Sequence, residues 1–413
     1  QETIPPRVTS LVRQSPANNP SNADSVTCRL TFDEAVQTVT PGMFTSTGST
    51  GALAVTNNSS TQTDVTLSGG DMVSLNGAVT LDALVGPPPL TNVANITDDA
   101  TLELEGGYSV TTAVVGGATY IFAAGQIDDG VSVFSVAANG SLTNVANVAD
   151  DATLELDGAA SVTTAVVGGT TYLFAAGQVD GGVSVFSVAA NGSLTNVANV
   201  TDDATLELFY AQSVTTAEVG GTTYLFVAGQ LDDGVSVFSV AANGSLTNVA
   251  NVTDDATLEL WSVYSVTTAE VGGTTYLFVA GFNDDGVSVF SVAANGSLTN
   301  VANVTDDATL ELDGTRSVMT AVVGGATYLF AAGVHDDGVS VFSVAANGSL
   351  TNVANVTDDA TLELFYAQSV TTAEVGGTTY LFVAGQLDDG VSVFSVAANG
   401  SLTNVANVTD DAT

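Results

Sequence analysis

The sequence predicts an all-β protein: a β-propeller of four-stranded blades, preceded by a smaller β-sandwich. Three observations predict it. The chain repeats itself with a period of 52 residues, each copy reads as four short β-type runs separated by turn chemistry, and no helical hydrophobic period competes.

Full copies begin at Leu90, Leu142, Leu194, Leu246, Leu298 and Leu350, and a partial copy runs from Leu402 to Thr413. In the copy from Leu194 the order is SVTTAEV, Gly-Gly, TTYLFVAG, a loop ending Asp-Asp-Gly, VSVFSVAA, Asn-Gly and LTNVANV. Gly220-Gly221 and Asn243-Gly244 tolerate the positive φ that tight hairpins need. The four runs are designated strands A, B, C and D. A meander of about 50 residues repeated six or more times points to propeller blades around a central channel. A β-solenoid has shorter coils and needs no pair of hairpin turns per unit. Small residues on strand A (Ser213, Thr215, Thr216, Ala217) suit the crowded innermost position, and Tyr224, Phe226 and Phe238 suit packing between blades. The strand count leaves ring closure open. Six A-to-D sets are accompanied by an extra D-type run at Leu90 to Ile96, and the stop at Thr413 in mid-repeat implies further blades beyond it.

Residues 1–86 differ in kind. RVTSLVRQ, SVTCRLTF, GALAVT, TDVTLS and AVTLDAL alternate apolar and polar positions between Asn, Ser, Gly and Pro clusters, as in a small sandwich. Val26, Cys28, Leu30 and Phe32 share one strand face, so Cys28 is expected to be a buried core thiol and not a nucleophile. Pro87-Pro88-Pro89 forms a stiff linker, and the propeller occupies residues 90–413.

Two resemblances follow from these residues. The order from the inner strand through Tyr-Leu-Phe-Ala/Val-Ala-Gly, Asp-Asp-Gly, Val-Ser-Val-Phe and Asn-Gly-Ser-Leu resembles the lactonase-like β-propeller repeat over residues 90–413. It implies the fold strongly and the activity weakly. The string PPRVTSLVRQSPANNPSNADSVTCRLTFDEAV resembles a bacterial Ig-like module of large secreted surface proteins.

Composition narrows the function. Among 413 residues, 44 acidic side chains face 4 basic ones, for a net charge of -40. Such a chain repels phosphate backbones and anionic lipid heads, which excludes nucleic acid as a partner and electrostatic docking on membranes. No run is long and apolar enough for a helical span, so no membrane insertion is expected. With 45% hydrophobic and only 12% charged residues the chain is no disordered polyacid. The acid excess without lysine suits an extracellular, secreted or cell-surface location, and the single cysteine, Cys28, excludes an intramolecular disulfide framework and a Cys-based zinc cluster.

The copies differ mainly in two short windows. The first follows Leu-Glu-Leu and holds Tyr108, Phe209, Tyr210, Gln212, Trp261, Tyr264, Arg316, Phe365, Tyr366 and Gln368. The second precedes the Asp-Asp-Gly and holds Gln126, Phe282, Asn283 and His335. In an up-down-up-down blade the D-to-A and B-to-C connections emerge on one face, so these residues are expected to ring that face. Changeable aromatic and polar residues on a fixed scaffold have the character of a recognition surface. The expected function is therefore adhesion, through binding of a protein or glycan, without catalytic residues. Lactonase-like hydrolysis and a purely structural repeat spacer are the alternatives.

Other chemistry is weaker. Near-identical blades are not expected to supply the distinct acid, base and electrophile of one active site, and His335 reads as a substituted loop position. The Asp pairs, such as Asp202-Asp203 and Asp232-Asp233, could take Ca²⁺, but they read best as solvated turn carboxylates, so no cofactor is assigned.

Overall fold

The computed structural model describes residues 8–15, 25–32, 44–46, 52–59, 62–68, 79–81 and 92–410. The chain divides into two compact units, Gln1–Pro89 and Leu90–Thr413.

In the first unit, β1 (Val8–Ser15), β2 (Ser25–Phe32), β4 (Ala52–Ser59) and β5 (Gln62–Ser68) form a sheet in the order β1-β2-β5-β4, while β3 (Phe44–Ser46) pairs with β6 (Val79–Leu81). Leu30 and Val65 are buried. Arg29 grips Asp64 across the β2–β5 register with two hydrogen bonds of 2.7 Å. Cys28 is only half-buried, so it sits at the margin of this core and not inside it. The side chains of Val26 and Phe32, and the Pro87–Pro89 linker, lie outside the described residues. The expected Ig-like module is not supported. What the described residues form is one four-stranded and one two-stranded antiparallel sheet.

Among its described residues the second unit forms six four-stranded antiparallel sheets, each a simple meander resembling a propeller blade. The first comprises Gly107–Val115, Ala118–Gly125, Gly130–Val136 and Leu142–Ala149, and the third Ala211–Val219, Thr222–Gly229, Gly234–Val240 and Leu246–Thr253. The phase of the sheets differs from that of the repeats, because strand D of each sheet comes from the start of the following copy. Among the described residues, the extra D strand expected at Leu90–Ile96 does not appear. Residues 92–99 carry no strand, and Leu90 and Thr91 lie outside the described residues.

Burial explains the four strand sequences. Strand B is covered on both faces, and its near-continuous TYLFVAG run is almost wholly buried. Strand D forms the outer edge, and its alternating LTNVANVT is mostly exposed. There Asn248 donates to Asn251 at 2.7 Å, and a register shift beside Phe238 interrupts the ladder, both of which blunt an otherwise open edge.

Consecutive sheets pack face to face. Tyr224, Phe226, Val235 and Val237 of the third sheet close on Leu260, Val266, Leu277, Val279 and Phe290 of the fourth. Polar atoms fix the register of this apolar contact. The Tyr224 hydroxyl donates to the Ala294 carbonyl at 2.9 Å, and the Val266 amide donates to Ser213 Oγ at 3.2 Å. The same pair of bonds recurs at each junction between neighbouring sheets, from Tyr120 with Ala190 to Tyr328 with Ala398.

Candidate functional site

Each D-to-A connection crosses the end of the sheet it enters, and the Leu-Glu-Leu segment fixes its path. The Glu155 amide donates to Ser184 Oγ at 2.8 Å, its carboxylate accepts from Thr201, and Leu156 is fully buried. The segment passes so close that a Cβ on Gly177 would lie 2.7 Å from the Glu155 carbonyl oxygen, and one on Gly182 would lie 2.5 Å from Glu155 Oε2. The glycines that end strand B and begin strand C are therefore required by close approach.

This path brings both variable windows together. The Gln230 and Leu231 amides donate to the Tyr210 and Phe209 carbonyls, and the His335 amide donates to the Asp313 carbonyl at 3.0 Å. The second residue of the first window sits in the left-handed region in every sheet, as glycine in three (Gly106, Gly158, Gly314) and as Tyr210, Ser262 and Tyr366 in the others. Non-glycine side chains there carry backbone strain, held by the paired loops.

The inward window residues meet around a cavity of about 500 Å³, lined by Tyr108, Gln126, Gln178, Tyr210, Gln212, Gln230, Leu231, Tyr264 and Arg316. A polar chain runs round it: Gln126 donates to Gln178, Gln178 to Gln212, and Gln212 to the Tyr108 hydroxyl at 2.8 Å. Arg316 Nη2 donates to the same hydroxyl at 3.0 Å. Having accepted twice, the Tyr108 oxygen keeps its proton to donate. Gln230 donates to Ser262, and its Oε1 is buried without a partner among the described residues.

The other side of the mouth is aromatic and cationic. Arg316 lies 4.7 Å above the Tyr264 ring, and burial raises the Tyr264 pKa although Arg316 opposes the shift. The ring series continues from Tyr264 to Phe282 at 4.9 Å, to His335 at 5.4 Å and to Tyr366 at 6.4 Å. His335 Nδ1 is 2.8 Å from Asp313 Oδ1, with both side chains about half-exposed. Gly314 makes room for this pair, since a Cβ there would approach His335 Nδ1 to 2.9 Å. Arg316 lies on the first strand of the fifth sheet (Thr315–Val323), Asp313 in the turn that leads into it and His335 in the turn between the second and third strands.

Of the predicted residues, Tyr108, Gln126, Tyr210, Gln212, Tyr264 and Arg316 line the cavity, while Phe282, His335 and Tyr366 extend from it. Phe209, Trp261 and Phe365 are exposed apart from the cavity lining, as is Asn283. Gln368 is half-buried, with an unpartnered Oε1. Sequence reasoning missed Gln178, Gln230 and Ser262, which occupy the same windows in other copies. It also missed Asp313, whose pairing with His335 through the window-to-window backbone bonds could have been found by aligning the two windows within one copy.

The Asp pairs are accounted for by turns. Asp203 accepts from the Thr205 amide and hydroxyl, which lowers its pKa, and Asp232 accepts from the Phe209 amide at 2.7 Å. Asp202 accepts from the Leu208 amide, while burial raises its pKa. Burial also raises the pKa of Glu155, Glu207, Glu259 and Glu311. Among the described residues no group of three His, Cys, Asp or Glu side chains is placed to hold a metal, and no helix is long and apolar enough to cross a membrane.

No protein family description matches the sequence, and no curated protein matches it. Solved structures do. A periplasmic gluconolactonase of Pseudomonas aeruginosa superposes with a TM-score of 0.57 at 19% identity, over 74% of this chain and 87% of its own. A protein from Lactobacillus plantarum gives a TM-score of 0.52 at 15% identity, over 73% of this chain and 84% of its own. The likeness is one of fold. It corrects two expectations, because the gluconolactonase is a hydrolytic enzyme and not an adhesion module. The reading of the variable rim as an adhesion surface, and the exclusion of enzymatic activity, do not stand. Near-identity of the copies does not exclude an asymmetric site, because the differences between them are concentrated in the few positions that meet at the mouth.

Proposed function

We propose that this chain is a hydrolase of small lactones, acting outside the cytoplasm at the mouth built by the two windows. The observation that carries the reading is the presence on one sheet of an oriented His335–Asp313 pair and the Arg316 cation, at the rim of a polar cavity. The periplasmic gluconolactonase of the same fold supplies the substrate class: the cyclic ester of a sugar acid, whose hydroxyls suit the glutamine-lined wall.

The residues divide the work as follows. With Nδ1–H donated to Asp313, His335 presents Nε2 as the base that takes a proton from water. The water oxygen attacks the lactone carbonyl carbon, and the Tyr108 hydroxyl and Arg316 guanidinium face the oxyanion that develops. As the ring C–O bond breaks, the His335 imidazolium returns the proton to the departing alkoxide. The carboxyl group so formed gives its proton to solvent, the hydroxy acid leaves as a carboxylate, and a net charge of -40 favours its expulsion.

The test is release of acid from glucono-δ-lactone by the full chain, followed with a pH indicator and corrected for spontaneous opening. His335→Ala and Asp313→Asn are expected to lower the catalysed rate by roughly 10²-fold or more. Absence of catalysed release, or equal rates in wild type and His335→Ala, refutes the proposal.

A further inference from the structure

The five junctions between neighbouring sheets are copies of one another, and the two outermost faces are their unmatched halves. Val162, Val214, Val266, Val318 and Val370 are 5–6% exposed because the preceding sheet covers them, whereas Val110 of the first sheet is 72% exposed. At the other end, Val375 of the sixth sheet is 47% exposed where Val115, Val167 and Val323 are 7–9% exposed. Phe382 is half-buried although Phe174, Phe226, Phe278 and Phe330 are fully buried.

The polar signature of the junction is likewise split. Five tyrosine hydroxyls donate to an alanine carbonyl of the next sheet. Among the described residues, Tyr380 makes no such bond and the Ala138 carbonyl receives none. Each of five valine amides donates to a serine of the preceding sheet. The sixth serine of that series, Ser369, and the Val110 amide are the unmatched pair.

The free ends are turned towards a common axis. Tyr108 on the first strand A reaches Gln212 of the third sheet and Arg316 of the fifth, so the array is already curled around the mouth. Consecutive A strands pack side by side from the first sheet to the sixth, and the first and sixth do not pack in that way.

We propose that the sector between the sixth and first sheets is a docking site for one further four-stranded blade of this same repeat. Its chemistry is dictated by the five made junctions. The incoming blade covers Val110 with a Tyr-Phe-Val face, covers Phe382 with a Leu-Val-Phe face, accepts from Tyr380 on an alanine carbonyl and donates a tyrosine hydroxyl to Ala138. An unrelated partner would have to reproduce both faces at once.

The experiment compares the full chain with the same chain extended after Thr413 by a copy of residues 206–257, which supplies one A-to-D set in phase. Filling the sector is expected to raise the melting temperature by about 5 °C or more and to reduce binding of a hydrophobic dye. Hydrogen exchange at residues 107–115 and 378–385 should slow to the level of the inner sheets, with the extended chain monomeric. Protection gained at 378–385 but not at 107–115 overturns the proposal, as does no protection at either. Concentration-dependent protection of both faces in the unextended chain overturns it too, by assigning the sector to a second copy. Val110→Asp serves as the control: it should leave the unextended chain's melting temperature unchanged and abolish the gain in the extended one. A gain that survives it refutes a filled sector.

Discussion

Replacing Tyr276 by Phe isolates a single element of the junction between sheets. Tyr276 is 4% exposed, and its hydroxyl donates to the Ala346 carbonyl at 2.9 Å. The substitution keeps the ring in the apolar cluster with Phe278, Leu312 and Phe342 and removes only the donor. The carbonyl left without its partner makes the loss about 1–2 kcal/mol, and not the near-zero net of a bond exchanged with water. For a unit of this size that corresponds to a melting shift of about 2 °C. Tyr380→Phe is the matched control, since the equivalent hydroxyl makes no bond to a following sheet, and its cost should be about 0–0.3 kcal/mol. Urea unfolding reads the difference, with Trp261, the only tryptophan, as fluorophore in the fourth sheet. Stacked repeats can unfold from their ends, so the fluorescence midpoint is compared with far-ultraviolet circular dichroism. Equal losses for the two substitutions would refute the reasoning, because the junction bond would then contribute nothing that a free end lacks.

Two further outcomes follow from local geometry and titration. Tyr210 occupies a left-handed position with φ of 62° that three other sheets fill with glycine, so Tyr210→Gly should raise stability by about 1 kcal/mol in thermal unfolding. A loss would show that the Tyr210 ring contributes more at the cavity wall than its backbone strain costs. For pH, burial raises the carboxyl pKa of Glu155, Glu207, Glu259 and Glu311 above 4.5, so folding favours their protonated form. Their cost is absent below that value and appears as pH rises through the raised folded values. Asp151, Asp203, Asp255 and Asp307 act oppositely, because threonine hydrogen bonds lower them below 3.8. Their stabilisation is complete above that value and is lost as pH falls through the lowered ones. Melting temperature should therefore fall as pH rises from about 4.5 through the raised folded values and level off above them, with Glu259→Gln reducing the fall. A profile with no fall above about pH 4.5, or a fall that Glu259→Gln leaves unchanged, counts against this account.

The repeat unit was legible because its signals are local. Two glycine hairpins and a buried TYLFVAG run need no distant partner to be recognised, and they mark the strands that form. The convergence of both windows on one face was also readable, since strand polarity alone decides it. What could not be read was the meeting of individual side chains across sheets. Tyr108 joins Gln212 and Arg316, which lie 104 and 208 residues away, through curvature that no single repeat encodes. His335 looked like an isolated substitution for a different reason, since its partner Asp313 stands 22 residues earlier in the other window of the same copy, and only pairing the two windows brings them together. The first unit was read less well. Its alternating runs mark strands, but a sheet order of β1-β2-β5-β4 depends on long-range pairing that alternation does not specify.

The offset between repeat and sheet has a consequence for inheritance. Because the outer strand of every sheet is contributed by the next copy, any 52-residue stretch can be deleted or duplicated between homologous points and each remaining meander is still complete. Unequal recombination among such copies thus keeps every meander whole while it changes how many sheets stack and reshuffles which window residues confront one another at the mouth. Each sheet outlasts the exchange, and the chemistry at the mouth is what it rewrites.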